Sequence, residues 1–225
     1  MTRYDIAYLK RAGCLLEQIL KNESDSMEEV ANLFSEVILK SGRILVSGSG
    51  HSSIVAQEAY YRAGGLASIK PIWLKSLLIT ENAEISTHLE RISGIAEATF
   101  KSYKPDQKDC LVIVSNSGRN AYGIELAQIA TSAGCRTVAL TSIQHSSSVK
   151  SRHPSGKRLF ELCDIVIDSH VPLGDASMTY PEFNEHFGPL STISTVAIFN
   201  AVICRTIEKL IEQNHYPEIL RSANT

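Results

Sequence analysis

The side chains whose types and spacing point most directly to chemistry fall on two short segments of the same design. The first is Ile44-Leu45-Val46-Ser47-Gly48-Ser49-Gly50-His51-Ser52-Ser53. The second is Leu111-Val112-Ile113-Val114-Ser115-Asn116-Ser117-Gly118-Arg119-Asn120. Each is an apolar run that ends in a Ser/Gly turn and leads into a helix-compatible stretch. Glycine lets the chain turn sharply where the strand ends. The following helix aims free backbone N–H groups and its positive dipole end at the turn. Ser49, Ser52, Ser115, Asn116, Ser117 and Asn120 add hydroxyl and amide groups without bulk. Helix capping is the ordinary use of any one such residue. A cap does not require Ser-Asn-Ser-Gly in full, and it does not explain two turns of one design. Together they predict a pocket for a small anion such as a phosphate ester.

Acid–base candidates lie close by. His51 sits on the first turn, Glu58 follows near the same helix face, and Arg62 stands one turn further. Glu58 and Arg62 are read either as an i,i+4 ion pair or as an acid/base pair at the pocket entrance. In the catalytic reading Glu58 is the base, and His51 or His153 serves the oxygens of the ligand. The polar stretch 144–158 carries His145, Arg152, His153 and Lys157, which suit a hydroxyl or a phosphate. Asp175 is either a turn residue or a carboxylate facing the pocket. Ser191 and Thr192 open the last helix and complete the candidate ligand set. His51, His145 and His153 lack metal-ligand spacing, so a metal-free site is expected. Gly48-Ser49-Gly50 begins like a dinucleotide fingerprint, but Ser53 stands where its third glycine belongs. No Gly-Lys-Ser/Thr follows a strand either, so no cofactor is expected.

These residues need elements to position them. Two helices are predicted over the first forty residues, broken at 22–25. Strands are expected at 44–48, 67–73, 110–115, 136–141 and 164–168. Helices are expected over 51–63, much of 77–104, 120–132, and a long final stretch capped by Ser191-Thr192. Alternating strands and helices imply a parallel sheet, with ligands beyond the carboxyl ends of its strands. The 225 residues, 44% of them hydrophobic, read as one α/β domain with a full core. The net charge of −2 favours neither nucleic acid nor an acidic membrane. No apolar run approaches the ~20 residues of a membrane helix. The N-terminus has no signal-peptide core. Five scattered cysteines read as reduced thiols of a cytoplasmic protein.

The chain resembles SIS (sugar isomerase) domain proteins, which bind phosphosugars. The resemblance runs from about Ser26 to the final helix. It is carried by Ile44 to Ser53, by Ser115-Asn116-Ser117-Gly118, and by Gly188-Pro189-Leu190-Ser191-Thr192. The stretches Tyr60 to Gly65 and Ser151 to Leu159 look closest to a bacterial phosphosugar-isomerase-like branch. The resemblance implies a three-layer α/β/α sandwich around a five-stranded parallel sheet. It implies phosphate held at Ser49, Ser115, Ser117 and Asn120, and sites completed across a homodimer or homotetramer. Heptose-phosphate isomerase and muramic acid phosphate etherase relatives carry a catalytic Glu further along the first helix, where this chain has Tyr61 or Arg62.

An aldose–ketose isomerase of a sugar phosphate is the leading expectation. Its proton transfer between adjacent carbons needs a base and an acid near the carbonyl. A lyase or etherase on the same ligand class is the enzymatic alternative. A phosphosugar sensor without chemistry is the second class, and it would act through a protein partner.

Overall fold

The computed structural model describes residues 3–222 and 224. Its elements are α1 (Tyr4–Asn22), α2 (Ser24–Leu39), β1 (Ile44–Gly48), α3 (Ser53–Ala59), β2 (Ile69–Pro71), α4 (Ala83–Leu89) and α5 (Ile95–Tyr103). There follow β3 (Cys110–Val114), α6 (Ala121–Ser132), β4 (Arg136–Thr141), α7 (Ile143–Ser147), β5 (Ile165–Asp168), β6 (Ala176–Tyr180), β7 (Phe183–Pro189) and α8 (Ser191–Glu212). Five strands form one parallel sheet in the order β2-β1-β3-β4-β5.

The strands alternate their side chains between two cores, as a period of two dictates. Ile44, Val46, Val112, Val114, Val138 and Leu140 face α1, α2, α3 and α8. Leu45, Leu111, Ile113 and Ala139 face α5 and α6. Every residue of β1 and β3 is buried, which is why their sequences run apolar rather than alternating. The result is the expected α/β/α sandwich, and both N-terminal helices belong to its first core.

The sheet order reverses direction between β1 and β3. They are neighbours, with Gly48 paired to Val114 at their carboxyl ends. The two Ser/Gly turns therefore leave the sheet side by side, at the topological switch point where open α/β sheets bind ligands.

Several boundaries differ from the sequence reading. The predicted helix over 51–63 is a short 3-10 turn and then α3, which stops at Ala59 before Tyr61 takes a positive φ. The stretch 77–104 is broken between α4 and α5, and Glu90 and Arg91 occupy the break. Part of the polar stretch 144–158 is helical, as α7. The antiparallel hairpin β6-β7 was not anticipated. Its turn is Pro181-Glu182, with Glu182 at φ 69°, the positive value that the third residue of a type II turn requires.

The cap of α8 is also a correction. Leu190, not Ser191 or Thr192, holds the cap position. The capping group is Asp175, whose carboxylate accepts the Leu190 and Ser191 N–H groups at 2.9 and 2.8 Å and the Ser191 hydroxyl at 2.5 Å. No helix among the described residues is long and apolar enough to cross a membrane.

Candidate functional site

The turn after β3 is built around Gly118, at φ 53°. An added Cβ there would lie 2.9 Å from Ser146 Oγ and 3.2 Å from the Leu159 side chain, so glycine is required twice over. Ser115 Oγ accepts the Gly118 N–H at 3.2 Å and braces the loop. Asn120 holds the cap position of α6 in an extended conformation, but its side chain does not cap the helix. Its Oδ1 accepts from Arg152 instead, at 3.0 Å. Ser117 makes no side-chain hydrogen bond among the described residues. Asn116 faces the other way, accepting the Ser169 hydroxyl at 3.3 Å. The donors of this turn are thus mostly unspent, and the positive end of α6 stands behind them.

The turn after β1 shares the plan but not the polarity. Gly50 supplies the same left-handed kink, at φ 55°. Ser49 Oγ is committed, donating to Glu90 Oε2 at 2.6 Å. Ser52 is half-buried and His51 exposed, and neither side chain has a hydrogen-bond partner among the described residues.

Glu90 is the residue that joins the two turns, and the sequence reading missed it. Its carboxylate holds Ser49, and its backbone carbonyl accepts the Tyr122 N–H at 3.0 Å in the first turn of α6. Tyr122 in turn reaches across the core, its hydroxyl 3.0 Å from Ser47 Oγ at the end of β1. Burial pushes the Tyr122 phenol up to about 12, so this pair is a neutral link that fixes α6 against β1.

Positive charge gathers on the β3 side. Arg119 lies in the turn, with its buried Nε unpartnered. Arg152 is fixed by its backbone N–H to Arg119 O at 2.8 Å and by its side chain to Asn120. Burial, then the charges of Arg119 and Arg91, hold the Arg152 guanidinium below its ordinary pKa, while Glu90 opposes them. His145 stands at the carboxyl end of β4, where it feels both Asp175 and Arg119. Burial holds its imidazole below the ordinary range, which favours the neutral ring, and its buried Nδ1 has no partner.

The expected acid–base residues are dispersed. Glu58 stands at the end of α3, ion-paired with Arg62. His153 lies beside α6 rather than between the turns. Its Nδ1 accepts the Ser155 N–H at 3.2 Å, and its Nε2 faces Glu125 at 3.7 Å. His153 thereby clamps the loop that carries Arg152. Ser191 is locked to Asp175, while Thr192 is half-buried without a side-chain bond. No three His, Cys, Asp or Glu side chains among the described residues cluster tightly enough to hold a metal ion.

A groove of about 250 Å³ lies elsewhere, between α1 and the end of β5. It is floored by His170, which binds Glu23 at 2.8 Å and seals the helix junction to β5.

The sequence pattern of the SIS domain matches residues 7–142. The chain belongs to the SIS domain family. A UPF0309 protein of Halalkalibacterium halodurans is 36% identical over 224 residues, covering 100% of this chain and 93% of that one. Among solved structures, the phosphoheptose isomerase of Neisseria gonorrhoeae superposes with a TM-score of 0.61 at 18% identity, covering 90% of this chain and 96% of that one. The NanR protein of Vibrio vulnificus complexed with ManNAc-6P gives 0.56 at 18% identity, covering 95% of this chain and 66% of that one. At these identities the structural likeness establishes the fold. This SIS domain therefore has the five-stranded α/β/α architecture of those proteins.

Proposed function

We propose that this SIS domain protein binds a sugar phosphate and interconverts its aldose and ketose forms. The observation that carries the reading is the unspent donor set after β3: Ser117, Arg119 and the positive end of α6. Family membership supports a phosphosugar ligand, as does the phosphosugar held by the similar NanR fold.

Charge orients the ligand. The Glu90 carboxylate disfavours an anion directly over Ser49. The phosphate therefore sits on the β3 turn, contacted by Ser115, Ser117 and Asn120, and the sugar extends toward Ser49, Ser52 and Glu90. Enediol chemistry then has Glu90 at the reacting end as base, with neutral His145 serving a sugar oxygen. Glu58 as base, with His51 or His153 serving the sugar oxygens, is the alternative set expected from sequence. Anchoring the phosphate supplies orientation that the chemical step uses. No cofactor or metal enters this scheme.

The test is solvent deuterium exchange into a panel of ketose phosphates. Wild type should exchange, and Glu90→Gln should slow exchange by roughly 100-fold or more, the usual contribution of a general base. Glu58→Gln should slow it less. Exchange that survives in Glu90→Gln but vanishes in Glu58→Gln would return the base to Glu58. Binding without exchange in the wild type would remove the isomerase and leave a lyase, an etherase or a sensor.

The same reading includes a cytoplasmic homo-oligomer. Helix α1 has two apolar stripes. One, with Ala12, Leu15 and Ile19, is buried. The other is Ile6, Leu9, Gly13, Leu16 and Leu20, spaced 3-4-3-4 like a coiled-coil seam. Its Leu9 and Leu20 are 69% and 67% exposed, and an added Cβ at Gly13 would meet nothing within 4 Å. A second copy crossing antiparallel at Gly13 would set Lys10 against Glu17 of the partner subunit, twice by symmetry. Light scattering should give a dimer or larger, and Leu9→Glu with Leu20→Glu should give a monomer. A wild-type monomer across a dilution series contradicts this assembly.

A further inference from the structure

Arg91, Arg119 and Arg152 converge on the start of α6 from three separate segments. Arg119 is part of the turn. Arg152 comes from the loop after α7 and is tied to Asn120 and to Arg119 O. Arg91 follows Glu90, whose carbonyl is bonded to the Tyr122 N–H. Arg43, Arg62, Arg136, Arg158 and Arg205 each reach a carboxylate. Among the described residues, none of the three at this turn makes an ion pair. Their mutual repulsion is felt at Arg152, and Glu90, the one carboxylate acting on it, is bonded to Ser49 on the other turn.

The three do not lie at one depth. Arg119 is half-buried in the turn, whereas Arg91 and Arg152 are exposed at its rim. A phosphate monoester has three terminal oxygens. The turn, Ser117, Arg119 and the free N–H groups of α6 already offer donors to them. The two rim guanidiniums, each a planar fork suited to a carboxylate or phosphate, are surplus to that need.

We propose that the ligand carries a second anionic group, bound by Arg91 and Arg152 at the rim while the first phosphate occupies the turn. The ligand class is thus a phosphosugar acid or a sugar bisphosphate rather than a simple sugar monophosphate. This rests on the phosphosugar reading above and narrows it. The two sources share one chemistry, a second set of anionic oxygens a sugar's length from the first.

Calorimetry separates them. The probes are glucose 6-phosphate against 6-phosphogluconate, and fructose 6-phosphate against fructose 1,6-bisphosphate, at low and high salt. One probe with two anionic groups should bind at least about tenfold tighter than its partner with the phosphate alone, with a steeper loss in salt, as charge-assisted contacts require. Whichever pair shows the gain identifies the second group. Arg91→Gln and Arg152→Gln should each remove most of that gain while weakening the monophosphate far less. Because Arg152 also holds Asn120, the Arg91 variant is the cleaner of the two. Equal affinities within both pairs would overturn the inference and leave the phosphosugar reading standing. So would rim variants that weaken the singly and the doubly substituted anionic probes alike, which would assign all three arginines to one phosphate. Failure of all four probes to bind the wild-type protein would count against the phosphosugar reading itself, and this inference with it.

Discussion

The amino and carboxyl edges of the sheet treat charge in opposite ways. At the amino edge, Asp109 is nearly fully buried and accepts five hydrogen bonds, four of them from the Arg43 backbone and side chain at 2.6 to 3.2 Å. Asp164 likewise accepts the Thr137 N–H and hydroxyl at 2.7 and 2.9 Å. At the carboxyl edge between β1 and β3, three arginines have no ion-pair partner among the described residues, and Arg119 Nε is buried without a hydrogen-bond partner among them. Partnered charge stabilises a fold. Unpartnered charge of one sign costs stability and is kept where a ligand completes it. The difference teaches which edge holds the sandwich together and which binds.

Substitutions at the two edges should therefore separate affinity from stability. The largest effect is expected from Arg119→Gln. Sugar phosphate affinity should fall roughly 100-fold, about 2.7 kcal/mol, as a charge-assisted pair is lost. Its urea midpoint should hold steady or rise, because repulsion with Arg152 is relieved. A lower midpoint would mean that Arg119 is structural. Next is Asp109→Asn, which should destabilise by about 2 kcal/mol through lost charged hydrogen bonds. That figure is already discounted, since the Arg43 side chain is 36% exposed and solvent screens it. Ligand affinity per folded molecule should not change. The partnered Arg43 guanidinium, after the cost of burial, holds the Asp109 carboxyl below its ordinary value. Its contribution is present above the unfolded carboxylate pKa and is lost as pH falls through the lower folded one.

Ser117→Ala is a smaller step, about 1 kcal/mol of binding and no loss of stability, for a hydroxyl with no partner in the free protein. The smallest effect concerns His145. Burial lowers its pKa, so below the unfolded value the unfolded chain binds more protons than the folded one. Stability should decline as pH falls below ~6.5, by less than about 1 kcal/mol given partial solvent access. Urea midpoints of wild type and His145→Gln at pH 7 and 5 check this. A wild-type midpoint that does not drop more than the variant's on acidification would contradict it.

The strands and the two Ser/Gly turns were legible because their signals are local. A buried parallel strand is a short apolar run, and the glycine that permits its turn lies within a few residues. Gly50 and Gly118 do take nearly the same positive φ. What was not legible depends on contacts between distant residues. Glu90 and Arg91 look like any polar pair in a helical stretch, and it is the long-range bonds of Glu90, from the Tyr122 N–H to its carbonyl and from the Ser49 hydroxyl to its carboxylate, that bring them to the site. The cap of α8 was sought next to the helix at Ser191, but it comes from Asp175, across the hairpin. The hairpin itself is mostly exposed and carries weak alternation, with the Pro181-Glu182 turn as its one clear signal. His153 was read as free to act on a ligand. Ser155, two residues on, holds its ring locally, but Glu125, which faces it, is a matter of tertiary placement.

In the proposed complex the phosphate sits on the turn after β3 and the reacting end of the sugar lies toward Glu90. The most direct measurement is a crystal structure with a sugar phosphate that binds in calorimetry. The phosphorus is predicted within hydrogen-bonding reach of Ser117 and Arg119, at the start of α6, with the sugar chain running toward Ser49. Phosphate density centred on Ser49 and Ser52, or in the groove floored by His170, would contradict the account.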